Sequence, residues 1–489
     1  MPCRVAALTA SCRDPLVAAA SVLGVVGLVT LLEHASQCVH ALITVNRAVT
    51  YFSVAYSPLQ LAVAALLASV GVAGAVARPK AFGRCFLTAL GLLCAVLASA
   101  ALLGFKGVAI HGLALTASLT PIVKYLLIAL AVTPVAVLTQ HLARGAPARF
   151  RGALRALNSP PTPKELALFT SAIALLLAIP YLPHVNPKGL PIDADYVHYA
   201  SWVSSLSAAR NPLRELLAIG CGDRPLTIAL LWGLSRLLPY PYVDRVFTLT
   251  SLTLLATLTY TASHMLGCRY AYVSVLGPLL VTLYYGGFHA NLLAYVLALS
   301  ALIAAISGKV KVLPALSALS VMSHSEVWAL YTPLFAGSAK ALLMWVAPGL
   351  AWHALRLAVL GPGCVSAVAS GVGFVGLSEL VGKVGFEVEV YLWGTLNCWS
   401  VYAVAIAGYY FMARDGHPMT LQVAASMAPL LLSLFLTPYV TARALVNSAT
   451  WLPVAYLFNK VRGFEAVLAY AGIQLLWVAW YLVNAVPQL

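Results

Sequence analysis

Asp193 and Asp195 stand one residue apart, with His198 close behind, in the stretch IDADYVH of residues 192–198. A carboxylate held beside a hydroxyl can take its proton while the oxygen attacks an electrophile, and it can instead ligate a metal ion. The chain has only 14 acidic residues among 489, so two placed together after an apolar segment call for an explanation. A plainer use competes with catalysis. Tyr196, Tyr199, Val203 and Leu206 fall on one helical face, and either aspartate can cap the start of that helix.

Other residues able to do chemistry are spread along the second half of the chain. Arg224 in GDRPL (222–226) and Arg443 in TPYVTARALVNS (437–448), the latter near Tyr439, carry guanidinium groups, which bind phosphate in bidentate fashion. Arg224 can also simply pair with Asp223, and Arg443 can snorkel from a helix end. His289 and Asn291 in GGFHANLLAYVLAL (286–299), and His324 and Glu326 in SHSE (323–326), lie at polar turns between apolar runs. His198 can face the aspartates or the membrane interface. A divalent cation such as Mg2+ or Mn2+, if one is used, would draw on Asp193, Asp195 and Glu326.

The elements that must position these residues are membrane helices. The chain is 62% hydrophobic and 9% charged, against roughly 25% charged in soluble domains. Apolar runs of about 17 to 25 residues recur along it, each long enough to cross a hydrocarbon layer roughly 30 Å thick. The expected fold is all-α and polytopic. The net charge of +15 is carried by short clusters between the runs, which sets orientation and gives no basic domain for nucleic acid. The nine cysteines are scattered, with no CxxC and no zinc spacing, so neither a disulfide framework nor a zinc site is expected.

Candidate spans run over 16–32, 56–77, 84–104, 119–140 and 166–183, and the intervening loops at 78–84 and 144–164 are basic. Basic loops stay cytoplasmic, which puts the N-terminus inside and the loop after residue 183 outside. The loop 143–165 separates a four-span region, 1–142, from a module at 166–489 with an outer loop at 184–245. Residues 225–238 are only fourteen, about 21 Å of helix, too short to cross comfortably, and are expected as an external interfacial helix. Further spans are expected at 246–266, 271–285, 290–306, 312–323, 328–346, 357–378, 398–413, 419–437, 444–459 and 465–485. This makes about fifteen spans, with the C-terminus outside and Lys340 and Arg356 both on the cytoplasmic side. Most of the acids then fall at the outer face, with Asp14, Glu165, Asp415 and Glu465 inside, and none lies in mid-span. Ion-coupled transport usually keeps such groups at membrane depth.

An apolar span followed by an outer loop that opens with acids before a short helix, then GDRPL leading an external helix, GGFHANLLAYVLAL at a second outer loop, SHSE, and a late arginine in TPYVTARALVNS resemble the GT-C superfamily of membrane glycosyltransferases. The resemblance covers about residues 166 to 489. It implies an inverting transfer of sugar from a polyprenyl-phosphate-linked donor to a glycan, lipid or protein acceptor at the outer face of the plasma membrane. It also implies that an acid of the first outer loop, Asp193 or Asp195, serves as base or metal ligand, and that Arg443 lies against the lipid phosphate. Many members carry an acid in the second outer loop, where this chain has His289 and Asn291. The alternatives are a lipid or polysaccharide transporter or flippase, and a non-catalytic subunit with a degenerate site.

Overall fold

Long apolar runs bounded by proline and basic residues fold into helices whose unmet end groups are satisfied locally. The computed structural model describes residues 15–36, 40–43, 49–52, 57–102, 156–275, 288–361, 399–433 and 449–485, apart from 184, 185, 188, 190, 194 and 462. Among them the elements are α1 (Pro15–Ser36), β1 (His40–Ile43), β2 (Val49–Phe52), α2 (Pro58–Ala77), α3 (Pro79–Leu102), α4 (Pro163–Ala178), α5 (Tyr196–Ala208), α6 (Pro212–Ala218), α7 (Pro225–Ser235), α8 (Tyr240–Met265), α9 (His289–Ile306), α10 (Leu313–Ser323), α11 (Ser325–Tyr331), α12 (Ala339–Leu360), α13 (Trp399–Asp415), α14 (Thr420–Ser433), α15 (Trp451–Val461) and α16 (Phe464–Ala485). Among the described residues six helices are long and apolar enough to cross a membrane: α2, α3, α4 with its 3-10 extension to Tyr181, α8, α9 and α12. The chain is a helical membrane protein. The one departure from all-α among the described residues is an antiparallel hairpin that pairs His40 with Phe52 and Ile43 with Val49.

Prolines start many of these helices because a first-turn position needs no N–H donor. Both α2 and α4 begin Ser/Thr-Pro-x-Gln/Glu, and both form a complete capping box: Ser57 with Gln60, and Thr162 with Glu165. Glycines let the flanking helices approach closely. A Cβ on Gly24 of α1 would lie 2.7 Å from the Gly71 Cα of α2, and one on Gly91 of α3 would lie 2.7 Å from the Leu468 carbonyl carbon of α16. The third helix of the N-terminal region is thereby packed along the last helix of the chain.

Helices α8 and α9 form the centre. Helix α9 is apolar nearly all round and mostly buried, as a helix surrounded by other helices must be, whereas α8 buries one face, including Asp244, and exposes Tyr242, Val246 and Leu254. Each joins two chemically distinct ends of the molecule. At one end Leu157 and Asn158 donate N–H to the Met265 carbonyl, His417 reaches the Leu266 carbonyl, and Asn459 bonds Gly267 and Arg269. Asp415 joins this end through Lys460 at 2.6 Å and the Tyr456 hydroxyl at 2.9 Å. At the other end lie Asp193, Tyr240, Asp244 and His289. The 26 residues of α8 separate the two ends by about 39 Å.

Three expectations need correction. Residues 347–356 are not a loop between spans at 328–346 and 357–378, since α12 runs unbroken from 339 to 360 with Pro348 inside it; residues 362–378 lie outside the described residues. Pro348-Gly349 reads as a break in sequence, but the face of Ala341, Trp345 and Gly349 is buried against neighbouring helices, and that packing offsets the hydrogen bond the proline removes. The Trp328 indole lies flat against the bare Gly349 backbone, where a Cβ would overlap it, while Trp345 donates to Thr332 at 3.0 Å and stacks on Phe335. Residues 312–335 instead form two short helices broken at His324, whose backbone is extended. Arg356, expected in a cytoplasmic loop, therefore lies within α12 and reaches the Cys221 carbonyl at the acidic end. The cysteines give the third correction: Cys85 and Cys221 each take part in a disulfide, which no spacing in the sequence signals.

Expected spans at 119–140 and most of 271–285 lie outside the described residues; the described start of the latter, Ala271–Val275, is a 3-10 turn. Helix α7 has eleven residues, which agrees with a segment too short to span. The course of α12 has a direct check. Cysteines placed singly at Lys340 and Leu360 in reconstituted protein should react with an impermeant maleimide from opposite faces of the membrane. Labelling of both from one face would rule out the crossing.

Candidate functional site

The acidic end is assembled from four separate pieces of chain. Asp193 comes from the irregular segment before α5, Asp244 from the second turn of α8, and His289 from the first residue of α9. Their ligating atoms lie within 4.8 Å of one another. His289 Nε2 is 2.7 Å from Asp244 Oδ1, and its Nδ1 is 3.4 Å from the Thr248 hydroxyl one turn further along α8. Exposure is 3% for Asp193, 1% for Asp244 and 0% for His289, so the two carboxylates are shielded from bulk solvent.

Tyr199 of α5, the fourth piece, fixes this arrangement. Its ring packs 4.7 Å from the His289 ring, and its hydroxyl oxygen accepts the Ala290 N–H at 3.0 Å. That N–H is one of the donors a helix start leaves unmet. The face predicted from Tyr199, Val203 and Leu206 is the buried one, and it carries α5 against α7, α8 and α9. Arg245, next to Asp244, donates to the Gly189 carbonyl at 3.0 Å and lies over the Tyr181 ring at 4.6 Å, which ties the segment before Asp193 to α8.

Electrostatics make this cluster incomplete as it stands. Neither oxygen of Asp193 has a hydrogen-bond partner among the described residues, and neither has the buried Tyr240 hydroxyl one turn before Asp244. Burial, and then the charge of Asp244, push the Asp193 carboxyl well above the ordinary carboxylate range. Burying an unpaired carboxylate costs several kcal/mol, and a second carboxylate alongside raises that cost. A divalent cation held by Asp193, Asp244 and His289 would supply the missing countercharge. Two hard oxygen donors and one imidazole suit an ion such as Mn2+ or Mg2+.

A second polar group lies on the far side of Tyr199. Asp223 sits between two arginines, with Arg224 Nη2 at 3.5 Å and Arg356 Nη1 at 3.8 Å, and it accepts the Ser325 hydroxyl. Burial would raise Asp223, but His324, Arg224, Ser325 and Arg356 together hold it below the ordinary carboxylate range. The turn before it, Gly220-Cys221-Gly222, is left-handed at every residue, and Cys221 is the one non-glycine with positive φ among the described residues. Arg356 holds that strained turn by donating to the Cys221 carbonyl at 2.9 and 3.1 Å.

The sequence-derived candidates are thus divided. Asp193 and His289 converge with each other, while Arg224 and His324 belong to the second group. Asp195 is at the N-cap position of α5 without a side-chain cap bond, half-buried and close enough to act on the charge of Asp193 and His289. His198 and Glu326 are exposed, His198 near Trp202 and Glu326 in the first turn of α11. Arg443 and Tyr439 lie outside the described residues. Asp244 and Arg356 were not singled out by the sequence. An acid placed after PYPYV, within reach of an apolar helix, was the available sign for Asp244. For Arg356 no local sign existed, since its role follows from α12 being one helix.

The raised Asp193 gives a stability prediction with a definite sign. In metal-free wild type the folded state favours the protonated acid, so its contribution is intact below the unfolded value near 3.9 and is lost as pH rises through the folded value. Asp193→Asn in chelator should therefore melt several degrees above wild type at pH 7.5, with the gap closing by pH 4. Added Mn2+ should reverse the order by stabilising wild type alone. An Asp193→Asn protein that melts lower than wild type in chelator at both pH values would contradict the burial argument.

No family model, curated protein or solved structure matches the chain, and the chemistry of this end of the molecule rests on its own geometry.

Proposed function

We propose that the protein is a divalent-metal-dependent membrane transferase that moves a sugar from a polyprenyl-phosphate-linked donor to an acceptor hydroxyl, with inversion at the anomeric carbon. The observation that carries this reading is the buried convergence of Asp193, Asp244 and His289 at the mouth of α8 and α9. The acid that the resemblance to GT-C enzymes leads one to seek in the second outer loop is replaced there by His289, and a second carboxylate arrives from Asp244. That substitution removes the motive for reading the site as degenerate.

The cation, when bound, supplies positive charge against the departing phosphate. The protein's own residues do the rest. Asp193, Asp244 and His289 hold that charge in place, and Tyr199 and Thr248 fix the imidazole. Asp195, half-buried beside them, takes the proton of the acceptor hydroxyl as its oxygen bonds to the anomeric carbon. The bond from that carbon to the phosphate oxygen breaks, and polyprenyl phosphate leaves with the electron pair. Burial keeps water from competing as acceptor.

The reading includes a GT-C-like core within about thirteen to fifteen spans, a cytoplasmic N-terminus, an outward C-terminus, residence in the plasma membrane, and a glycan, lipid or protein as acceptor. Arg443 and Tyr439 retain their expected place near the lipid phosphate. Labelled sugar presented on a polyprenyl phosphate in proteoliposomes should be transferred with Mn2+ and not with chelator. Asp193→Asn and Asp195→Asn should each lower the rate by about two to four orders of magnitude, the first with loss of Mn2+ affinity and the second without it. Movement of intact donor across the bilayer with no transfer to any acceptor would replace this reading with a flippase.

A further inference from the structure

Tyr240 opens α8 one turn before Asp244, in the stretch PYPYV of residues 239–243. Pro239 at the N-cap and Pro241 in the first turn restrict the backbone there. The ring is held from two sides: it lies 5.5 Å from the Tyr196 ring and packs on the buried cluster of Tyr199, Val243 and Phe247. This packing carries the hydroxyl to the acidic cluster, close enough to feel the charges of Asp244 and Asp193. The hydroxyl oxygen is buried and makes no hydrogen bond among the described residues, and the same holds for both oxygens of Asp193. Buried polar groups are nearly always bonded, so a donor and two acceptors around one cluster, none bonded to another, call for a ligand that satisfies both kinds. Asp195, Tyr196 and Tyr240 are each half-buried, and this is the side on which the cluster comes nearest the surface.

We infer that the cluster binds a phosphate group together with its cation, and that the Tyr240 hydroxyl donates to an oxygen of that phosphate. Charge sets the order of binding. Without a cation the carboxylates of Asp193 and Asp244 oppose any anion; a divalent ion balances both, and a histidine that ligates a metal is neutral. Asp193, Asp244 and His289 each offer one ligand atom, which fills about half of the roughly six positions that Mg2+ or Mn2+ takes up. The open positions suit phosphate oxygens. A phenol hydroxyl suits the rest of the contact, since it brings no charge to compete with the cation and its hydrogen bond is stronger to a charged acceptor. Identity of this phosphate with that of the lipid donor rests on the proposed transfer; dependence of phosphate binding on the cation and on Tyr240 does not.

Equilibrium binding of radiolabelled inorganic phosphate to the full chain in detergent, with saturating Mg2+ and with chelator, tests this apart from any transfer. Wild type should bind phosphate with Mg2+ and lose it in chelator. Tyr240→Phe should weaken binding with Mg2+ about tenfold, the loss of one hydrogen bond to a charged group, while its affinity for Mn2+ without phosphate stays that of wild type. In chelator the same variant should melt no lower than wild type, because the hydroxyl it removes is buried without a partner. Unchanged phosphate affinity in Tyr240→Phe, or wild-type binding as tight in chelator as with Mg2+, overturns the proposal. Weaker Mn2+ binding or a lower melting temperature in chelator also overturns it, by making Tyr240 a metal ligand or a support of the fold. In nanodiscs with Mg2+, polyprenyl phosphate should displace phosphate from wild type, and failure to compete overturns the assignment to the donor lipid. Displacement that depends on Tyr240, in a protein that transfers sugar to no acceptor, upholds the phosphate site and removes the transferase.

Discussion

Two carboxylates and an imidazole brought together where water is excluded are the constraint that organises this end of the molecule. Such a group is unfavourable until something positive joins it, and the surrounding structure prevents it from relaxing. Asp244 and His289 cannot separate, because they stand on adjacent buried helices. Asp193 is fixed by the segment that Arg245 ties down at Gly189. Geometry that persists against its own electrostatics is what a binding site requires, since the cost of assembly is met during folding and not when the ligand arrives.

The helices that carry the cluster owe their rigidity to features remote from it. Trp328 and Trp345 lock α11 against α12 across Gly349, and Ser320 donates to the Ala294 carbonyl at 3.2 Å to join α10 to α9. At the basic end, Asn459 and His417 close the turn that follows α8. Chemistry is thus placed on helix ends and the segment before α5, while the spans between serve as supports. That division follows from the solvent: backbone and charge are tolerated at the boundary, and apolar packing is required between the boundaries.

Much of this was legible from residue order. Capping residues and apolar length give α2, α4 and α9 to within a few residues, and the faces of α5 follow from helical spacing. The density of charge at 193–195 marked the segment that enters the buried cluster but did not separate Asp193 from Asp195, because capping and catalysis make the same demand on sequence. Asp244 was missed for a physical reason: an expected helix start at 246 left it in a loop, whereas the helix begins at Tyr240 and carries the acid inward. Pro348 misled in the opposite sense. Local preference argued for a break, and the packing of Trp328 on Gly349 overrode it.

That error has consequences beyond one helix, because α12 decides which charges meet. Read as two spans with a loop, it leaves Arg356 among cytoplasmic cations, where a positive charge needs no partner. Read as one helix, it delivers a guanidinium to a left-handed turn in the loop that holds Asp223 and Arg224. The Cys221 carbonyl in that turn is directed at Arg356, so the strain of a non-glycine at φ 55° is offset by two hydrogen bonds from a residue 135 positions away in sequence. Local strain, long-range charge and the course of a membrane helix are therefore one structural fact, and it sets two arginines beside the acidic cluster.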